Sequence, residues 1–385
     1  MRIIHVINTL QASDGGPPVV AAALAVAQAR LGHDVHLLTY AGGPDNPDGR
    51  GVLRGMADGE RVHLHAVQRS SAARWWPRQA NAALAQLIPH AAVVHIHGVW
   101  PTICLGAGRV SRRAGVPYVV LPHGSLNDWT LAERALKKKI ALAVAFGSFV
   151  AGAAWVHATS EYEARCVRDG DFHTHVKVFP PGIDPELLGP PPAADAFARR
   201  RPVLAGARYV VFIARLHPGK GADLLVEAIA LLRQRGTDLH AVIAGPDAGA
   251  RAAVEAAIAR TRTGDRVHLI GPIWGTEKTE ALAGALAFCL PSKGESFGMS
   301  IAEALAVGTP VVISGGCHFE QAERAGAGII VERTPEAIAD GLSRLAADEP
   351  LRKRFSAAGR ALVAERYAWP SVAAGIVDAY QHSPS

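Results

Sequence analysis

The chain has 385 residues, 49% apolar and 19% charged, which excludes a disordered protein and exceeds what one hydrophobic core ordinarily holds, so two domains are expected. A net charge of +6 with histidine neutral favours anionic ligands or an anionic membrane surface, and the lack of long Lys/Arg tracts argues against nucleic acid as a partner. The four cysteines, Cys104, Cys166, Cys289 and Cys317, form no C-x-x-C pair, so a reducing compartment, the cytoplasm, is expected in place of a disulfide frame.

The first residues, MRIIHVINTL, enter a strand-like run without a cleavage site, so no signal peptide is expected. The run Ile3 to Ile7, the turn SDGGPP and a helix from Val19 to Leu31, with Pro18 near its first position and Gly32 as its stop, make an opening strand–turn–helix unit. Further strands are expected at Val35 to Tyr40, Arg61 to Val67, Val93 to His97 and Tyr118 to Leu121, each apolar enough to be covered on both faces. The long apolar run from Ile140, IALAVAFGSFVAGAAWV, is broken by glycines and is too short for a membrane span; it is expected as a buried helix entering a strand at Trp155 to Thr159.

Composition shifts at Phe179 to Pro202, a proline-rich stretch carrying Arg199, Arg200 and Arg201, which is expected to be a linker. Beyond it the alternation restarts, with strands at Tyr209 to Ala214, Leu239 to Ala244, Val267 to Ile270 and Phe288 to Pro291, and helices at Ala222 to Arg235 and Ala248 to Arg262. The expected fold class is α/β, with two doubly wound Rossmann-like domains facing across a cleft. Residues 1–190 form the first domain and 191–365 the second; a helical segment at 366–385 returns to the first. Open parallel sheets bind ligands beyond the carboxyl ends of their strands.

The first loop, Ser13 to Pro18, lacks G-x-G-x-x-G spacing, yet Gly15 and Gly16 permit close approach of a ligand just before a helix. The loop ARLHPGKGADLL does not match a Walker A motif, but it sets Arg215 and Lys220 at the end of a strand and ahead of a helix, a placement suited to a diphosphate. Three H-x-H pairs, His63/His65, His95/His97 and His173/His175, each share a strand face. None has an acidic or thiol third ligand in register along the sequence, so no metal site is expected. Asp169-Gly170-Asp171 matches a D-x-D pattern but reads as a polar turn.

The stretch KGESFGMSIAEALAVGTPVVIS, Lys293 to Ser314, keeps carboxylates at both ends of an apolar run. With a helix starting around Ser296, the amides of Ser296, Phe297, Gly298 and Met299 would offer donors to phosphate or sugar oxygens. Glu295 would stand at that mouth and Glu303 farther along the helix, two acceptors able to grip hydroxyls of one ligand.

The E-x7-E spacing, together with Arg215 and Lys220, the phrase PPGID (Pro180 to Asp184) and TSEYEAR (Thr159 to Arg165), resembles the GT4-type retaining glycosyltransferases of GT-B fold, over nearly the whole chain. That resemblance implies that Glu295 contacts the donor sugar and Glu303 the ribose, that Arg215 and Lys220 bind the diphosphate, that Gly16 lets the donor approach, and that His123 stands near the reacting sugar carbon. It implies a nucleotide-sugar donor, retention of anomeric configuration and neither cofactor nor metal. One departure is Pro181, where the family's hinge has Asn before Gly. The segments HGVW and PHGSLNDW resemble enzymes of bacterial surface polysaccharides, implying a glycan or lipid-linked glycan acceptor. A nucleotide-sugar 2-epimerase and a noncatalytic sugar-binding protein are the alternatives. Trp75 and Trp76 in RWWPR, with Lys137, Lys138 and Lys139, suggest peripheral binding to the inner face of the cell membrane.

Overall fold

The computed structural model of the protein describes residues 1–42, 46–69 and 77–382. Among them are two parallel sheets, one in each of two compact units: Met1–Gly182 with Trp369–Ser385, and Ile183–Ala368. The first holds β1 (Arg2–Ile7), β2 (Asp34–Ala41), β3 (His63–Gln68), β4 (Val93–His97), β5 (Tyr118–Leu121), β6 (Trp155–Ala158) and β7 (Val176–Val178), in the order β3-β2-β1-β4-β5-β6-β7. The second holds β8 (Tyr209–Ile213), β9 (His240–Ala244), β10 (Val267–Gly271), β11 (Ala287–Leu290), β12 (Val311–Ser314) and β13 (Gly328–Val331), in the order β10-β9-β8-β11-β12-β13.

Both orders reverse beside the first strand, between β1 and β4 and between β8 and β11. Such a reversal is the place where open parallel sheets bind ligands, beyond the carboxyl ends of the strands. Helices cover both faces of the central strands: every residue of β4, β5, β8, β11 and β12 is buried, including the polar His95 and His97 of β4. The expected full cover of the strand at 61–67 does not hold. β3 starts at His63, lies at the sheet edge and alternates between exposed and half-buried residues.

Three other expectations change. The first helix runs Gly16–Arg30, three residues earlier than its apolar face suggests, because Pro17 and Pro18 fit its first turn, where no amide is needed. The run from Ile140 is helical but not wholly buried: it divides into Ala135–Ala141, the wider turn Leu142–Phe146 and Gly147–Ala151, with Ile140 and Val144 exposed and only Phe149 and Val150 buried. The proline-rich stretch is more than a tether, since Phe197 of its short helix Ala196–Arg199 is fully buried in the second unit's core.

The chain returns to the first unit through the helix Trp369–Gln381. Gly182 in PPGID touches the Trp369 indole so closely that a Cβ there would lie 2.2 Å from the ring, so only glycine fits. Ile183 N–H donates to Tyr367 C=O at 2.5 Å.

Candidate active site

In the second unit the loop after β8 turns through Pro218–Lys220 and is tied to its neighbours by main-chain bonds. Leu216 N–H donates to Pro246 C=O at 2.9 Å, and Lys293 N–H, in the loop after β11, donates to Gly219 C=O at 2.7 Å. Glu295 N–H donates to Gly316 C=O at 3.0 Å, bringing the loop after β12 into the same cluster. This lacing fixes Lys220 and Glu295, 75 residues apart, as an ion pair of 2.6 Å, with only 17% and 13% of their side chains exposed.

Arg215 stands exposed on the same loop and has no side-chain partner among the described residues. The loop therefore offers one free cation and one already matched to a carboxylate. An anion arriving at this loop would meet the first directly and compete with Glu295 for the second.

The helix expected from Ser296 begins at Met299 and ends at Ala306. Gly298 delays it by adopting the left-handed region, φ 79° and ψ 62°, which a residue with a Cβ strains to reach. Residues 296–298 thus form the approach to the helix. Phe297 is anchored in the core against Phe319 and Tyr367, so any part it plays toward a ligand falls to its main chain. Because Glu295 precedes the helix, the two glutamates are not strung along one axis; only the rise from Met299 to Glu303, about 6 Å, separates Glu303 from the helix start. Glu303 pairs with Lys278 of the helix Gly275–Ala283, a lysine that carries no motif and so gave no sequence signal.

In the first unit Gly16 opens its helix, and the position where a Cβ would stand has nothing within 4 Å, so the backbone there is open to approach. His123 follows β5 in a turn with φ 53°, beside Gly124 at φ 76°. That strained turn is held by Glu163, fully buried, whose Oε1 accepts from Gly124 N–H at 2.5 Å while Oε2 accepts from Thr159 N–H at 2.7 Å and Thr159 O–H at 2.6 Å. Burial raises the Glu163 carboxyl pKa, and these donors work against that rise. Glu163 lies in TSEYEAR, where the sequence shows an acid on a helix but not its contact with a turn 39 residues earlier.

His123 Nε2 lies 3.1 Å from His97 Nδ1. Burial, with a smaller contribution from His157, pushes the His123 pKa down to about 3, so the ring is neutral near neutrality. The pair His95/His97 sits inside the sheet and is bonded by other protein groups, which leaves it no role as a metal grip. The third ligand not seen in sequence for His63/His65 does exist in space: Asp34 and His36 of β2 lie beside His63, with donor atoms all within 4.8 Å. Arg2 already holds the other oxygen of Asp34 at 2.7 Å, and His36 bridges Asp34 and His65 at 3.0 and 2.8 Å, so this edge is a self-satisfied ion-pair cluster.

Residues 195–362 match the family Glycosyl transferases group 1, and residues 14–187 match Glycosyltransferase Family 4. A D-inositol 3-phosphate glycosyltransferase of Xylanimonas cellulosilytica is 32% identical over 215 residues, 53% of this chain and 51% of that protein, so the match spans about half of that relative. One of the same description from Kineococcus radiotolerans is 29% identical over 96% of this chain and 91% of its own length. Among solved structures, Anabaena HepE in complex with UDP and glucose superposes with a TM-score of 0.80 at 19% identity, covering 99% of both chains, which shows a shared fold. The chain belongs to the group 1, family 4 glycosyltransferases of GT-B fold.

Proposed function

We propose that this enzyme moves a glycosyl unit from a nucleoside diphosphate sugar to a hydroxyl of a glycan or lipid-linked glycan, with retention at the anomeric carbon and without a metal. The observation that carries the reading is the Lys220–Glu295 pair with unpaired Arg215 on the same loop, beyond the carboxyl ends of the neighbouring strands β8 and β11. Arg215 and Lys220 neutralise the diphosphate, and the amides of Phe297, Gly298 and Met299 at the start of an eight-residue helix add to that field. Once Lys220 turns to phosphate, the Glu295 carboxylate is released to accept from sugar hydroxyls, and Glu303 accepts from the ribose.

In the reaction the anomeric C–O bond to the diphosphate breaks and its electron pair leaves on the phosphate oxygen. The acceptor oxygen bonds the same face, and its proton passes to the departing phosphate. Cations set where that negative charge grows stabilise the transition state more than the ground state. Relatives named for D-inositol 3-phosphate and the UDP held by HepE support a polyhydroxylated acceptor and a uridine donor.

The test is release of nucleoside diphosphate from a panel of nucleotide sugars in excess chelator. Full activity is expected, because side chains and helix amides supply the positive field; loss of activity restored by manganese or magnesium would overturn metal independence.

The acceptor's source is proposed to be a membrane surface. No described helix is long and apolar enough to cross a membrane. Leu136, Ile140 and Val144, exposed by 75%, 56% and 79%, follow at four-residue spacing along the helical segment 135–151 and so share a stripe. Lys137 and Lys139 beside them are exposed, whereas Lys138 is turned inward, bonding Thr130 C=O and lying 6.0 Å over the Trp100 ring. Trp75 and Trp76 fall outside the described residues. Flotation with anionic vesicles at low salt is expected, weakened by salt and by the pair Lys137→Gln/Lys139→Gln. Equal flotation with neutral vesicles, or none with either, would leave a soluble acceptor.

A further inference from the structure

Inside the first unit a single file of polar groups runs from His123 along one face of the sheet to Phe179, just after β7. His97 Nδ1 lies 3.1 Å from His123 Nε2, and His97 Nε2 lies 2.9 Å from His5 Nδ1. His5 Nε2 is 2.8 Å from Gln28 Oε1, and Gln28 Nε2 donates to the Tyr380 hydroxyl at 3.2 Å. That hydroxyl is 2.5 Å from His95 Nδ1; His95 Nε2 is 3.3 Å from His157 Nδ1, and His157 Nε2 is 2.7 Å from Phe179 C=O. His5, Gln28, His95, His97 and His157 are all buried, as is Tyr380. The members come from β1, the first helix, β4, β6 and the returning C-terminal helix, so no sequence window contains the file.

The last contact gives the file a direction. A carbonyl only accepts, so the proton of His157 is on Nε2. Burial lowers the pKa of His157 and His5 to about 4 and holds His95 and His97 well below the ordinary value, so each ring carries one proton. His157 Nδ1 is then bare and accepts from His95 Nε2–H, which leaves His95 Nδ1 bare to accept from the Tyr380 O–H. With its proton used there, the Tyr380 oxygen accepts from Gln28 N–H, and Gln28 Oε1 accepts from His5 Nε2–H. His5 Nδ1 accepts from His97 Nε2–H, and His97 Nδ1 accepts from His123 Nε2–H. Reversing the file would need a second proton on His157, a buried cation, or two bare nitrogens facing each other.

We propose that this directed file, anchored at the Phe179 carbonyl, sets the proton of His123 on Nε2 and presents Nδ1 as a bare acceptor, with His97, His5, Gln28, Tyr380, His95 and His157 as positioning residues. No described group bonds His123 Nδ1. The nitrogen left for a ligand is therefore one that accepts from a sugar hydroxyl and cannot donate to a phosphate oxygen. Because the file ends on a carbonyl and not a carboxylate, nothing in it stabilises an imidazolium, so His123 orients the sugar and does not take up a second proton. The consequence for catalysis rests on the glycosyltransferase reading; the tautomer does not.

The test is nitrogen-15 NMR of the histidine rings in the whole protein near pH 7.5, with His123 assigned by the signal lost in His123→Gln. Protonated Nε2 and bare Nδ1 are expected for His123 and for the four buried rings; a proton on Nδ1 of His123 would overturn the proposal without any further variant. Tyr380→Phe removes the group that both donates to His95 and accepts from Gln28, so His123 should become a mixture of tautomers. In that variant turnover should fall about fivefold, the worth of one net hydrogen bond, while affinity for free nucleoside diphosphate stays unchanged. An unchanged His123 spectrum in a folded Tyr380→Phe protein would also overturn it. If no nucleotide sugar is turned over, the wild-type spectrum still decides the tautomer, so failure of the functional reading is separable.

Discussion

Glu295→Gln is expected to lower turnover by more than tenfold while leaving affinity for free nucleoside diphosphate equal to or higher than that of the native enzyme. The two effects have different origins. Glutamine keeps the size of the side chain but halves its accepting capacity and removes its charge, so the contact with sugar hydroxyls, strongest as positive charge grows at the anomeric carbon, is lost where it matters most. The same change frees Lys220 from its 2.6 Å partner, so phosphate no longer competes with a carboxylate for the ammonium. Calorimetry with free diphosphate alongside steady-state kinetics separates the two. Native turnover in this variant would remove Glu295 from the sugar, and a large loss of diphosphate affinity would mean the carboxylate positions the loop.

Lys220→Ala should act in the opposite sense, weakening nucleotide sugar and free diphosphate alike by about 10- to 100-fold, the range of a charge-assisted hydrogen bond of about 1.5–3 kcal/mol. The loss includes the unopposed charge of Glu295 left beside the phosphates. The double variant Lys220→Ala/Glu295→Gln is therefore expected to bind diphosphate better than Lys220→Ala alone, a coupling that two independent sites would not show. Lys293→Ala is the control: Lys293 is exposed, and only its main chain is bonded to the loop, so binding should be unchanged. Unchanged diphosphate affinity in Lys220→Ala would make that lysine a structural partner of Glu295 alone.

Much of this architecture is legible in sequence because alternating strand and helix patterns are local. β5 and β8 are continuous apolar runs, and their boundaries follow from them to within a residue. What was not legible is long-range. β3 shows its half-exposed face only once it is known to be an edge strand, and the helix expected at Ser296 starts at Met299 because one glycine adopts a left-handed backbone. Arg215, Lys220, Glu295 and Glu303 stand out in the sequence, but the ion pairs that hold the last three do not. Lys220 neutralises Glu295 and Lys278 neutralises Glu303 through contacts that no periodicity encodes. Glu163, which holds the His123 turn, and Tyr380, which joins Gln28 to His95, likewise become visible only when distant segments meet. Histidines that look like isolated strand residues prove to be links in one buried file.

The central claim is retaining transfer from a nucleotide sugar, and the measurement that tests it most directly is proton NMR of the product of the chelator-treated reaction while it is still young. Release of one nucleoside diphosphate for each glycoside formed, with the product's anomeric configuration the same as the donor's, is the predicted result. A product of inverted configuration, or diphosphate released with only free sugar formed when acceptor is present, would contradict it.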